Sequence, residues 1–359
     1  MKRYSHPIGD SSHTLWDAIC SMDNLKLAHQ NAKKGKGWYK EVKMVDENPD
    51  YYFGLLQEML INHTYKTSEY QTFYKTDSNK KRLIFKLPYF PDRICQWAVL
   101  QVIEPIILKN FTADTYSAIP DRGIHKCLAK LQDALQNDVK GSQYCLKIDA
   151  KQYYPSIDHH ILKMKYRRLF KDADLLWLLD EIIDSTPGDK GIPIGNYLSQ
   201  WSGNFYLSSF DHWIKEVKGI KHYFRYMDDI VILHESKEYL HQLRKEIDAY
   251  FQIELKLTIK ENWQVFPTYK RGIDFVGYRS FLNYTLLRKS TCKNFKVKMV
   301  AINKKRLNGK SLTYSEWCSI NSYKGWLKHC NSYRLQIKYL KPLEQYADNY
   351  YNQNIKMKG

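Results

Sequence analysis

His222-Tyr223-Phe224-Arg225-Tyr226-Met227-Asp228-Asp229-Ile230-Val231-Ile232-Leu233 is the stretch on which the reading of this chain turns. Its apolar and aromatic ends have the composition of strands, and the residues between them are few enough to close a tight hairpin. Two adjacent carboxylates at a hairpin tip, on backbone held rigid by strand pairing, grip divalent cations and present them to a phosphate. An Asp-Asp pair is equally at home in an ordinary solvated turn, where its oxygens bond the local backbone. The surrounding sequence has to separate the two.

With 359 residues, 43% of them hydrophobic, the chain has enough apolar material for one large core or two to three subdomains. Its seven cysteines are scattered, with no C-x-x-C spacing for zinc or a redox pair, and read as buried free thiols in a reducing compartment. The start, Met1-Lys2-Arg3-Tyr4-Ser5-His6, leads into no apolar signal region, and no run approaches the ~20 apolar residues of a membrane span. A cytoplasmic protein of a bacterial or phage-infected cell, without a membrane partner, is expected. Lys36-Gly37 is not a phosphate-binding loop, because the preceding strand and the following Ser or Thr are missing.

The formal charge is +18, an excess that steers a polyanion to the surface. From Arg288 to the end there are 16 Lys and Arg against three Asp and Glu, a net of +13. A short charge run is ordinarily a solvated face. Here Phe295, Tyr314, Trp317, Tyr323, Trp326, Tyr333 and Tyr339 are interleaved with the charges, which suits packed helices turning a basic face to nucleic acid. Arg288, Lys289, Lys304, Lys305 and Arg306 are the candidates for that contact.

Working outward from the hairpin, Ser236 is placed to cap a helix whose Leu240, Leu243, Ile247 and Phe251 share a face. A strand is expected from about Leu255 to Val265. Thr313 and Glu316 form a capping-box pattern before Trp317, Ile320, Tyr323, Trp326 and Leu327, a wide apolar stripe at helical spacing. Upstream, the spacing predicts a helix around Tyr52 to Ile61, a strand through Leu83-Ile84-Phe85-Lys86-Leu87-Pro88, and a helix after Pro91. Strands dominate the middle and helices the end, so α+β is the expected class.

Two-metal nucleotidyl transfer needs more than two carboxylates from one turn. Tyr144-Cys145-Leu146-Lys147-Ile148-Asp149 reads as a buried strand ending in the third, Asp149. Asp158, after Pro155-Ser156-Ile157 and before two histidines, reads instead as a turn or helix-cap residue.

In that order, Leu146-Lys147-Ile148-Asp149-Ala150-Lys151-Gln152-Tyr153-Tyr154-Pro155-Ser156-Ile157 and Tyr226-Met227-Asp228-Asp229 resemble the palm of a reverse transcriptase. The resemblance implies a right-hand polymerase with the catalytic and metal set Asp149, Asp228 and Asp229, two Mg²⁺ ions with Mn²⁺ as the alternative, and Tyr154 under the sugar excluding a 2′-hydroxyl. Lys80 through Ile94 is similar to the first fingers motif, with Lys81 and Arg82 meeting the triphosphate; Ser117 through Gly123, with Arg122, is similar to the second. Gly191-Ile192-Pro193-Ile194-Gly195-Asn196-Tyr197-Leu198-Ser199-Gln200 resembles the motif that positions template and nucleotide, giving Ile194 and Gln200 as nucleotide-binding. Lys260 matches the lysine held to protonate pyrophosphate, and Phe275-Val276-Gly277-Tyr278 resembles the primer grip, with Phe275, Gly277 and Tyr278. The implied divisions are an N-terminal extension 1–70, fingers 71–135, palm 136–285 with an insertion about 160–200, and a basic helical thumb 286–359.

Most bacterial relatives carry Gln-Gly-x-x-x-Ser-Pro in the positioning motif, whereas this chain has Ile194-Gly195 and Ser199-Gln200. That form is similar to the reverse transcriptases of diversity-generating retroelements, as are Gly272 through Tyr278, Leu286 through Ser290 and Gly325-Trp326-Leu327-Lys328-His329. The resemblance implies copying of a template-repeat RNA into cDNA with errors at adenines, with template RNA, RNA/DNA hybrid, dNTPs and an accessory variability protein oligomer as partners. No RNase H domain is expected, and no His-Asn-His pattern after the thumb or Val-Thr-Gly after the palm is read in the sequence, which sets intron maturases and retrons behind. A retron-like or defence-associated enzyme is the alternative. A vestigial, RNA-binding maturase-like module is a further one, against which the intact aspartate set speaks.

Overall fold

The computed structural model describes residues 14–77 and 80–355, and these cluster into two compact units. One draws on the described residues up to Ala118, with Asp149–Gly219 and Lys245–Glu261; the other on Ile119–Ile148, Ile220–Arg244 and the residues from Asn262 onward.

The first unit is built around the helix Ile94–Lys109, which buries Ile94, Cys95, Ala98, Val99, Leu100, Val102, Ile103 and Ile107. A helix apolar on all sides has to be enclosed. Among the described residues the α-helices Leu15–Cys20, Met22–Ala32, Lys40–Glu47 and Pro49–Ile61 precede it. Thr14 and Asp17 form a capping box on the first, Ser21 caps the second, and a proline opens the fourth, where its missing N–H costs nothing. The strands β1 (Gln71–Asp77) and β2 (Lys80–Lys86) pair antiparallel, Phe73 opposite Ile84 and Lys75 opposite Arg82. Asp158 is the N-cap of the helix His159–Leu169, its Oδ1 accepting from Ile161 N–H at 3.0 Å, as its sequence setting suggests.

The second unit holds a four-stranded sheet of β3 (Tyr144–Asp149, whose last residue opens a segment of the first unit), β4 (His222–Tyr226), β5 (Asp229–His234) and β6 (Gln264–Pro267), in the order β4-β5-β3-β6. Ile230–Leu233 shows no alternation because β5 is an interior strand, and all four side chains are buried. A three-stranded sheet follows, of β7 (Ile273–Phe275), β8 (Tyr278–Ser280) and β9 (Thr285–Leu287). The helices Lys289–Leu307, Tyr314–Leu327 and Glu344–Asn354 complete it, with Phe295, Met299 and Ile302 buried on the first.

Two expectations need correction. The helix after the hairpin runs Lys237–Leu255 and takes in Leu255, because that leucine continues the buried row Leu240, Leu243, Ile247 and Phe251. Lys256 then turns left-handed (φ 49°), and the strand begins at Gln264. In the helix Tyr314–Leu327 the Thr313/Glu316 capping box is present, but only Ile320 and Leu327 are buried, and Trp317, Tyr323 and Trp326 keep partly exposed rings. Helices also fill much of the middle, at His159–Leu169, Ala173–Asp184 and Tyr197–Tyr206, so the α+β class holds with more helix than the sequence pattern suggests.

Candidate active site

The hairpin closes with Tyr226 opposite Asp229, leaving Met227 and Asp228 as the turn. Met227 is left-handed (φ 58°), a conformation that costs a side-chain-bearing residue about 1 kcal/mol or more and persists only where neighbours impose it. One such neighbour is Arg225, fully buried, whose guanidinium donates to the Met227 carbonyl at 3.0 Å. Asp229 Oδ1 lies 3.5 Å from Lys147 Nζ, which also donates to the Asp274 carbonyl at 2.5 Å and lies 6.0 Å from the Phe275 ring.

Lys147 was not singled out from the sequence, although the signal was there. Side chains alternate along a strand, so Lys147 and Asp149 share one face of β3. On the sheet β3 is the direct neighbour of β5, the strand that Asp229 opens.

Asp149 is held by a second lysine. Residues 149–151 run antiparallel to 258–260: Lys260 N–H donates to the Asp149 carbonyl at 2.9 Å, Lys151 N–H to the Thr258 carbonyl at 2.8 Å, and Ala150 bridges to Ile259. This pairing lays Lys260 Nζ 2.5 Å from Asp149 Oδ2. Asp149 Oδ1 is buried and accepts no hydrogen bond, so a hard carboxylate oxygen is held ready for a cation, a donor that suits Mg²⁺. Among the described residues no three His, Cys, Asp or Glu side chains stand close enough together to hold an ion. The lysines neutralise the carboxylates.

The segment Gly191–Gln200 is hydrogen-bonded on two sides. Ile192 N–H donates to the Tyr154 carbonyl at 3.0 Å and Gly191 N–H to the Ile157 carbonyl at 2.7 Å, which fixes the motif against the short helix Tyr153–Ser156. On its other side Phe85 N–H donates to the Ile194 carbonyl at 2.8 Å. Gly195 has φ 130°, and a Cβ there would sit 2.4 Å from the Phe85 carbonyl oxygen, so only glycine lets the motif lie this close to β2. Tyr154 and Ile194 are half-buried, while Gln200, Lys81 and Arg82 are exposed. Lys81 Nζ stands 4.1 Å above the Tyr74 ring.

In the second unit, Arg122 is half-buried after a turn in which its N–H donates to the Ile119 carbonyl at 3.2 Å. The segment likened to a primer grip is the β7–β8 turn. Phe275 and Tyr278 are buried; Tyr278 stacks on Trp326 with centroids 5.1 Å apart and its hydroxyl donates to the Trp326 carbonyl at 2.9 Å. Their side chains anchor the turn, and Gly277 is buried as well, its carbonyl accepting from Arg288 N–H at 3.0 Å. Arg288 pairs with Asp274 at 2.5 Å, Lys305 with Glu316 at 2.8 Å, and Arg306 donates to Asn303 at 2.9 Å, whereas Lys289 and Lys304 are exposed.

A profile of the family described as reverse transcriptase (RNA-dependent DNA polymerase) matches residues 73–280, more than half of the chain. The chain belongs to the reverse transcriptase family. This reverse transcriptase is 24% identical over 267 residues to protein YkfC of Escherichia coli (strain K12), covering 63% of this chain and 70% of that protein. It is 22% identical over 217 residues to the group II intron-encoded protein LtrA of Lactococcus lactis subsp. cremoris, covering 57% of this chain and 35% of the intron-encoded protein. Among solved structures, telomerase from Candida albicans in complex with a TWJ fragment of telomeric RNA aligns at a TM-score of 0.49 and 12% identity, over 82% of this chain and 62% of that one. Apo telomerase from Candida tropicalis aligns at 0.47 and 12%, over 60% and 48%.

Proposed function

We propose that the chain is an RNA-directed DNA polymerase that extends a DNA primer on an RNA template, with Asp149, Asp228 and Asp229 holding two Mg²⁺ ions. The ions supply a lowered pKa at the attacking 3′-hydroxyl and neutralise charge on the leaving pyrophosphate. One observation supports this above the others: a two-residue turn braced by a buried arginine presents Asp228 and leads into β5 at Asp229. Lys260, kept beside Asp149, is the proton donor to pyrophosphate. Lys81 and Arg82 on the exposed β2 take the triphosphate, Tyr154 packs under the sugar, and Lys289 and Lys304 bind the RNA/DNA hybrid. The fingers then lie in 71–135, the palm in 136–285 and the thumb in 286–359, and the enzyme works in the cytoplasm. Primer extension on an RNA template with Mg²⁺ tests this. Asp228→Asn is expected to lower the rate by on the order of a thousandfold with the fold intact by circular dichroism. Extension that survives the change overturns the assignment.

Within that activity, the finer reading is error-prone copying of a template-repeat RNA in a diversity-generating retroelement, with an accessory variability protein as partner. Ile194 supports it: an apolar side chain, half-buried on backbone pinned to β2, stands where most relatives carry glutamine, and apolar contact discriminates base pairs poorly. Ile194→Gln should lower misincorporation opposite template adenines in a sequenced single-round cDNA pool. An unchanged error spectrum removes this account of infidelity while leaving the polymerase in place.

A further inference from the structure

Of the two histidines that follow Asp158, His160 is exposed and His159 is 3% exposed. The chemistry above gives His159 no part. Within the first unit its ring Nε2 lies 2.7 Å from the Gly191 carbonyl oxygen. A carbonyl only accepts, so Nε2 carries the proton and donates. The buried Thr186 hydroxyl donates to the same oxygen at 2.7 Å and stands 3.3 Å from His159 Nε2. The other ring nitrogen, Nδ1, is buried without a hydrogen bond and faces Asp184 Oδ1 at 3.6 Å, and that carboxylate pairs with Lys163 at 2.5 Å. At 3.6 Å the acid is beyond hydrogen-bond reach, so the ring is oriented by Gly191 and Thr186.

The carbonyl of Gly191 and the N–H of Ile192 belong to one planar peptide unit. Its N–H donates to the Tyr154 carbonyl at 3.0 Å. His159 and Thr186 thus grip one end of a rigid plate whose other end holds Tyr154. Gly191 has φ 99°, in the region where glycine alone turns with little resistance, so the plate depends on its carbonyl anchor to keep one orientation. Flanking bonds set the register: His159 N–H donates to the Asp189 carbonyl at 2.9 Å, Gly191 N–H to the Ile157 carbonyl at 2.7 Å, and Asp158 bridges to Lys190. Ile194 stands two residues beyond the plate, so the same anchor places both side chains assigned to the nucleotide.

We propose that His159 is a positioning residue for sugar selection: it fixes the Gly191–Ile192 peptide, and through it the backbone from which the Tyr154 ring projects under the incoming sugar. The inference rests on the reading of Tyr154 as the residue beneath that sugar. Exclusion of a single hydroxyl depends on where the ring sits, and an error of about 1 Å in a positioned group costs as much as about a hundredfold. None of the bonds in this network involves Asp149, Asp228 or Asp229. Selectivity should therefore fall further than turnover.

Single-nucleotide primer extension by the full chain, with dNTP or with rNTP, gives the ratio of kcat/KM for the two sugars. His159→Leu is expected to lower that ratio about tenfold, with kcat for dNTP within about threefold of the parent. His159→Gln, whose side-chain amide donates to the same carbonyl, should keep the ratio within about twofold of the parent. Amide hydrogen exchange at Ile192 should follow, faster by about tenfold in His159→Leu and parent-like in His159→Gln. An equal loss of kcat/KM for both sugars, with the ratio kept, overturns the proposal, because a merely structural role predicts it. Tyr154→Val is the control. If it lowers the ratio and His159→Leu does not, the positioning role fails and the sugar reading stands. If it leaves the ratio unchanged, the sugar reading fails and the positioning role with it. Should His159→Leu not fold, Thr186→Val, which removes one of the two side-chain donors to Gly191, decides by the same ratio: a fall supports the proposal, and parent-like selectivity overturns it.

Discussion

At the scale of single residues, the carboxylates were visible from order and spacing alone, and the lysines that hold them were not. Lys260 was reached through resemblance, but its position on Asp149 depends on an antiparallel pairing of segments about a hundred residues apart, which no local pattern announces. Gly195 is the residue where backbone geometry decides most. Its φ of 130° and the 2.4 Å approach of the Phe85 carbonyl leave no room for a methyl group. Gly195→Ala is therefore expected to cost about 1–3 kcal/mol, read in chemical denaturation, and to loosen the positioning motif from β2. Its kinetic mark should be a raised KM for dNTP with a smaller change in kcat.

At the scale of elements, the helix Tyr314–Leu327 shows how a start signal in sequence becomes a pH dependence. Burial pushes the Glu316 carboxyl up, but the Lys305 ammonium and the Thr313 N–H and hydroxyl outweigh it and hold the pKa down to about 2, below the ordinary 4.5. A depressed folded-state pKa adds stability that is fully present above 4.5 and lost as the pH falls toward 2. Thr313→Ala should remove part of it, costing about 1 kcal/mol at pH 7, with less difference from the parent near pH 2. Equal losses at both pH values would leave the capping box without this role. The capping box was legible because it is a four-residue pattern. The end of the helix Lys237–Leu255 was not, because the same apolar residue continues a helical row and opens a strand-like run, and only the left-handed Lys256 separates them.

At the scale of the whole molecule, the +18 charge predicts RNA affinity that falls steeply with salt. The structure separates exposed cations from paired ones. Lys289 and Lys304 are exposed, whereas Lys305 is committed to Glu316. The double change Lys289→Gln and Lys304→Gln should reduce the salt slope by about 1.4 for a single strand, while Lys305→Gln should act on stability first. A slope that responds to Lys305 instead would reverse that sorting. The sequence by itself determined the family-bearing order of motifs, the hairpin with its two aspartates, and the net charge, because these are carried by contiguous residues and by composition. Only the tertiary structure decided which lysine neutralises which carboxylate, which basic residues are already paired, and that His159 reaches the peptide that holds Tyr154. Each of those depends on segments far apart in the chain being brought together by buried apolar packing, which a local sequence pattern does not encode.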